Sequence, residues 1–227
     1  MKSFVFVLVI LFATTLVFAG NWIDLFDGQT LAGWSVHSGF ATYYVKDGAI
    51  VGTTAQGSPN TFLCTDETYS DFILEFEVLC DPQLNSGVQF RSIVPEHNIE
   101  FIFQNREGKP SVQKHPKDRL YGYQVEIATE ASGTSGGVYD EARRAFFLQD
   151  IREKPDASAA FKDGQWNKYR IECKGNHIQT WVNDVPCSDF RDDMTYEGVF
   201  GLQVHSIGDS PDKYQVKWRN IRLQELD

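Results

Sequence analysis

Hydrophobic and polar residues alternate along most of this chain with a period of two, the repeat of an extended strand whose successive side chains point to opposite faces. Ten segments carry the pattern: Thr42–Lys46, Ala49–Thr53, Thr61–Cys64, Phe72–Cys80, Gly87–Ser92, Tyr121–Ala128, Lys168–Lys174, Ile178–Asn183, Val199–His205 and Tyr214–Leu223. They are short and rich in β-branched and aromatic residues, and helical periodicity is nearly absent. Asp27-Gly28, Asp47-Gly48, Asp163-Gly164, Gly175-Asn176 and Asn183-Asp184 supply residues that tolerate positive φ, so antiparallel hairpins are the expected connections. The pattern predicts an all-β chain. Two stretches break the rhythm: Asn105–Leu120, basic and containing Pro110 and Pro116, and Thr129–Asp163, rich in Gly, Ala and charge. Loops of that length in a compact domain are usually functional or mobile.

The first twenty residues follow another rule. Lys2 is their only charge, an apolar run extends from Phe4 to Phe18, and Val17-Phe18-Ala19 gives a small-residue ending. A basic start, an apolar stretch too short to span a bilayer and such an ending read as a secretory signal at residues 1–19, cleaved after Ala19. The expectation is an exported, periplasmic or extracellular protein without a membrane anchor, because no cysteine lies near the cleavage point and no second long apolar stretch follows. The remaining 20–227 segment suits one β-sandwich or barrel, folds that run to ~200–250 residues as single units.

Charge and cysteine content narrow the picture further. A formal net charge of −10 repels nucleic acid and offers no counterion-release term to drive its binding. Cys64, Cys80, Cys173 and Cys187 sit in a chain where disulfides can persist, and four thiols allow three pairings among which spacing does not choose. The histidines show no HExxH spacing and there is no EF-hand-like run of acids, so no metal site is indicated by spacing, which leaves a structural calcium open.

Candidate chemistry comes from the parity of three strands. Val88 and Phe90 oppose Gln89 and Arg91; Tyr123, Val125 and Ile127 oppose Gln124 and Glu126; Phe200, Leu202 and Val204 oppose Gln203 and His205. If the strands share a sheet, one face carries four chemistries: amides, an acid, an imidazole and a guanidinium. Amides with mixed donors and acceptors suit sugar hydroxyls. The bland alternative is a solvated sheet face, which is polar without being a site. Such a face is usually rich in Lys and Glu, and the Gln-Arg, Gln-Glu and Gln-His pairs here differ from it. Of the five tryptophans, Trp22, Trp34, Trp166, Trp181 and Trp218, most are expected in the core rather than as sugar-stacking platforms.

Taken in order, several segments resemble the 3-keto-disaccharide hydrolase family over roughly Trp22 to Leu226. They are Leu25-Phe26-Asp27-Gly28 with Gly33-Trp34, Asp47 to Gly52, Phe72 to Phe76, Asn85-Ser86-Gly87-Val88 with Phe90-Arg91, and Gly122 to Ile127. The run Gly136-Gly137-Val138-Tyr139-Asp140-Glu141-Ala142-Arg143-Arg144, Trp166-Asn167, Trp181 to Pro186, Gly201 to His205 and Arg219 to Arg222 complete the set. The resemblance implies a two-sheet antiparallel β-sandwich of the jelly-roll, concanavalin A-like lectin/glucanase type, acting on a small carbohydrate. It further implies cleavage of glycosides oxidised to a ketone at C3: the ketone acidifies the C2 proton, a base removes it, the C1 substituent leaves by β-elimination and water adds back. On that basis His205 or Glu126 is the expected base and Arg91 or Arg144 steadies the enolate oxygen. Gln89, Gln124, Gln203 and Tyr139 orient hydroxyls, with Asn85 also on the substrate. Two alternatives remain. A conventional glycosidase needs a carboxyl pair, for which Glu126 and Glu130 are the candidates; a carbohydrate-binding module or lectin needs no catalytic group.

Overall fold

The computed structural model describes residues 21–105 and 107–226; the signal reading of residues 1–19 lies outside the described residues. In chain order the strands begin with β1 (Ile23–Asp24), β2 (Trp34–His37), β3 (Thr42–Lys46), β4 (Ala49–Thr53), β5 (Thr61–Thr65) and β6 (Phe72–Cys80). Next come β7 (Ser86–Ile93), β8 (Ile99–Gln104), β9 (Pro110–His115), β10 (Tyr121–Ile127), β11 (Val138–Glu141) and β12 (Phe147–Gln149). The series closes with β13 (Asn167–Lys174), β14 (His177–Val182), β15 (Val185–Arg191), β16 (Val199–Val204) and β17 (Gln215–Glu225). One sheet runs β15-β14-β13-β6-β17-β4-β3 with β1 on β17; the other runs β12-β11-β10-β7-β16-β5-β2; β8 and β9 form a separate hairpin. Every pairing between strands of the two large sheets is antiparallel.

Alternation accounts for the packing. Along β6, Phe72, Leu74, Phe76 and Val78 are buried, as are Tyr169, Ile171 and Cys173 on β13, and they meet Val88, Phe90, Tyr123, Val125, Ile127, Phe200, Leu202 and Val204 of the other sheet in one core. Phe72 meets Phe200 edge-on at 4.8 Å, and Phe76 stacks on Tyr169 at 5.1 Å. The turns behave as their residues require: Asn183 and Asp184, both at positive φ, join β14 to β15. The chain is thus a two-sheet antiparallel β-sandwich of jelly-roll type.

Four expectations change. The supposed loop 105–120 contains β9, paired residue for residue with β8. The 129–163 stretch contributes β11 and β12, an edge hairpin of the second sheet. All four cysteines are buried and free, so none of the three pairings forms. Only two of the five tryptophans, Trp34 and Trp218, are core residues. Trp22, Trp166 and Trp181 instead lie against Arg222, Arg219 and Arg170, at 4.4, 4.1 and 5.5 Å from ring centroid to guanidinium carbon.

Candidate active site

The polar row predicted from parity lies on the face of the second sheet that points away from the core. Register places Gln124 opposite Gln89 and Tyr139, Glu126 opposite Gly87, and Gly201 opposite Gln89. This face is not solvated. Gln89 and Gln203 are 0% exposed, Gln124 is 2% and Glu126 8%, because Leu120 packs on Phe62 and Cys64 and closes over part of the sheet. A buried row of amides is a different object from a wet sheet face: each polar group removed from water needs a partner.

Several lack one. Both amide atoms of Gln89, the Oε1 of Gln124 and the Nε2 of Gln203 are buried without a protein partner. Each such atom costs about 1–3 kcal/mol when nothing answers it; of the three amides, Gln124 and Gln203 line the cavity above the row, where an incoming group could answer them, and Gln89 does not. Gln124 itself leans over Gly87, where a Cβ would lie 2.5 Å from its amide carbon. There its Nε2 is 3.5 Å from both Glu126 Oε2 and Gln203 Oε1, the loose limit of hydrogen bonding. Glycine at position 87 makes the room in which this amide can move.

A cavity of about 210 Å³ opens above the row, lined by Asn85, Gln124, Glu126, Tyr139, Gln203 and His205 among others. Burial pushes the Glu126 carboxyl up to about 7; hydrogen bonds from Asn85 and Gln124 partly oppose this, and the nearby Glu141 charge adds to it. His205 follows β16 and keeps Nδ1 2.8 Å from the Ser206 carbonyl oxygen. That oxygen only accepts, so the neutral ring carries its proton on Nδ1 and leaves Nε2 without a hydrogen-bond partner among the described residues. A second chamber, about 480 Å³, lies on the far side of His205, walled by Asn60, Lys117, Asp118 and Arg119.

The family model for the 3-keto-alpha-glucoside-1,2-lyase-like domain, the 3-keto-disaccharide hydrolase family, matches residues 21–224. The chain belongs to this family. No curated protein matches it. Among solved structures it is similar to a carbohydrate-binding module, CBM66 of Bacillus subtilis, at TM-score 0.57 and 16% identity over 85% of this chain and 96% of that one. Two candidate glycosyl hydrolases from Parabacteroides distasonis are similar as well. One has TM-score 0.56, 17% identity and coverage of 92% and 94%; the other has 0.54, 19%, 91% and 100%. At these identities the likeness shows the fold alone.

Within this family member, two nominated arginines lie elsewhere. Arg91 falls on a bulge, at φ 47° where the registers of β7 with both neighbours shift, and the extra residue turns it off the polar row. Its guanidinium is wholly buried at the end of the sandwich. It donates to the Ser70 and Gly175 carbonyls at 2.7 Å each and to Asp71 at 2.8 Å. Arg144 pairs with Asp140 and, at 2.7 Å, with Asp192, while Arg143 takes the other oxygen of Asp140 and lies over the Tyr123 ring. Both are structural ties. The suggested carboxyl partner of Glu126 is also displaced: Glu130 stands in a 3-10 turn and pairs with Lys162.

What parity could not reach comes from three other segments. Glu141, on β11, lines the same cavity and accepts from Asn60 Nδ2 at 3.1 Å and Arg119 Nη2 at 3.2 Å. Asn60 in turn accepts from the Ser206 backbone at 2.9 Å. A hydrogen-bonded chain therefore runs Arg119, Glu141, Asn60, Ser206, His205 and holds the imidazole against the cavity wall. Among the described residues no group of three or more His, Cys, Asp and Glu side chains comes together as a metal site.

Proposed function

We propose that this protein cleaves 3-keto-glycosides by C2 proton abstraction, β-elimination at C1 and hydration. The observation that carries the reading is Glu126: one carboxyl, buried among amides in a sugar-sized cavity and held near neutrality. A proton-transfer group works best when its pKa lies near the working pH, and carbon acids made acidic by an adjacent ketone need one base rather than a carboxyl pair. Glu141 is engaged by Arg119 and Asn60, and its Cα stands four strand positions from that of Glu126, ~13 Å at 3.3 Å per residue.

In this reading ionised Glu126 takes the C2 proton and the C2–H electrons form the enolate. Its oxygen, on C3, receives the unpartnered Nε2 donor of Gln203. The C3 carbonyl then re-forms, C1=C2 is created, and the C1 oxygen departs with its bonding pair. His205 stands at the boundary of the two chambers, and its Nε2, once protonated, supplies the departing oxygen with a proton. Water then adds to C1, giving up one proton to His205 Nε2 and so restoring the proton that left with the C1 oxygen, while Glu126 returns its proton to C2, which gives net hydrolysis. Asn85, Gln124 and Tyr139 orient hydroxyls, while Gln89, wholly buried and outside the cavity lining, lies beside Gln124 and does not reach the substrate.

The test offers the protein an aryl glucoside and its 3-keto counterpart and follows phenol release. Release from the keto form alone, lowered ~10²–10⁴-fold in Glu126→Gln, is the expected result. Release from both forms would point to a conventional glycosidase. Saturable sugar binding with release from neither would make this a binding module, the activity named for the CBM66 relative in fold.

A further inference from the structure

The two chambers that meet at His205 differ in charge, and the difference bears on what the second one binds. In the first, the ionisable groups besides His205 are the carboxyls Glu126 and Glu141 and the phenol of Tyr139, all acids. In the second, three charged side chains stand in sequence on one loop: Lys117, Asp118 and Arg119. Asp118 is already answered, by His37 Nδ1 at 2.6 Å and by the Ser38 backbone N–H at 2.9 Å. The cations are not answered to the same degree. Arg119 gives Nη2 to Glu141, but its Nη1 is buried with no partner. Lys117, exposed at the mouth, spends its backbone N–H on Asn98 and forms no side-chain ion pair among the described residues. The remaining wall is uncharged, from Pro59, Asn60, Pro116 and Ser206.

We infer that the second chamber is a subsite for an anionic substituent, a carboxylate, sulfate or phosphate, on the part of the substrate beyond the scissile bond. A buried guanidinium N–H without an acceptor is a directional site for an anionic oxygen, and an ammonium at the mouth adds a second contact. The overall charge of −10 means that no long-range attraction draws an anion in; the preference is made by contact in the chamber and is only partly screened by salt. The term "scissile bond" rests on the function proposed above; the anion subsite itself does not.

An isosteric pair separates the two ideas. Unoxidised 4-carboxyphenyl and 4-carbamoylphenyl glucosides differ only in charge at the far end of the ring, and calorimetric titration of both into the full chain reads binding without turnover. The carboxylate is expected to bind about tenfold tighter, with the ratio falling severalfold in Lys117→Gln and in Arg119→Gln. Lys117 makes no hydrogen bond or ion pair through its ammonium among the described residues and touches the fold only through the nearby charge of Asp118, so K117Q reports on the subsite even where R119Q disturbs Glu141. Equal affinities for the pair, or a ratio untouched in K117Q, would overturn the inference. The 3-keto forms of the same pair then test the reaction: turnover with the same preference supports both ideas, and no turnover with the preference intact removes the enzymatic reading while leaving the anion subsite standing.

Discussion

Replacing Glu126 with glutamine should remove a loss of stability that the wild type suffers as pH rises and should slow the proposed reaction ~10²–10⁴-fold, and the size of the first effect follows from the carboxyl's surroundings. Its folded pKa of about 7 lies above the ordinary 4.5, so the folded state binds the proton more tightly than the unfolded chain does. The sign is therefore fixed: the contribution is fully present below pH 4.5 and is lost as pH rises through 7. At 1.36 kcal/mol per unit the loss between pH 4.5 and 8 is about 3 kcal/mol. Glutamine keeps an acceptor for Asn85 but sets an amide N–H against Gln124 Nε2, which costs something at every pH. The decisive quantity is consequently the difference between wild type and E126Q at pH 8 minus that at pH 4.5, in which this packing cost cancels. Urea titrations followed by tryptophan fluorescence, with Trp34 and Trp218 buried in the core, should give about 3 kcal/mol for it. In thermal melts that corresponds to ~6–12 °C for a domain of this size. Parallel stability–pH curves for the two proteins would refute the argument that burial holds this carboxyl near neutrality.

Three further substitutions separate site from scaffold. Gly87→Ala causes no backbone strain, since Gly87 is not at positive φ, but its methyl group would lie 2.5 Å from the amide carbon of buried Gln124 and must displace that side chain; a stability loss of about 1–3 kcal/mol with kcat/KM down by at least tenfold is expected from melts and steady-state rates. Arg91→Ala leaves Asp71 and two carbonyl groups without their donor, so it should cost about 3–5 kcal/mol while the folded fraction keeps its kcat; a normal melt with lost activity would return Arg91 to the chemistry. Asp140→Asn unpairs Arg143 and Arg144 beneath the segment that carries Tyr139 and Glu141; about 3 kcal/mol of destabilisation with a raised KM is expected, and an unchanged KM would show that the ion cluster does not position these two residues.

Strand parity made the site legible as far as the strands run without interruption. Gln89, Gln124, Glu126 and Gln203 were readable because β7, β10 and β16 are unbroken there and neighbour one another. At Gln89's next face position the rule fails, because the bulge at Arg91 adds a residue and turns the side chain off the row. Arg144 failed for a different reason: an aspartate three and four residues before a pair of arginines is the spacing of local ion pairs, and Asp140 holds both. Arg119, Glu141 and Asn60 were beyond reach, since only the pairing Gly122 with Glu141 and the closure of residues 116–120 over the sheet bring them together. The glycine-rich run quoted for its family resemblance did contain Glu141, but nothing in its spacing says which of its polar residues faces the cavity.

The distribution of satisfied and unsatisfied groups separates the two kinds of buried charge in this molecule. Arg91, Arg143 and Arg144 each meet a carboxylate at close range, and such pairs lock a geometry without leaving anything free to react. The row above the second sheet is the opposite: a half-protonated carboxyl, amide atoms without partners and an imidazole with one nitrogen free. A carboxyl held near neutrality exchanges its proton in both directions at similar driving force. Elimination followed by hydration demands that property, because the same C2 position first gives up a proton and then receives one. A base with an ordinary carboxylate pKa would be ionised almost all the time and slow to return the proton. The apparent pKa on the rising limb of kcat/KM against pH should therefore lie near 7, and a rising limb near 4.5 would mean that the group that takes the proton is not Glu126.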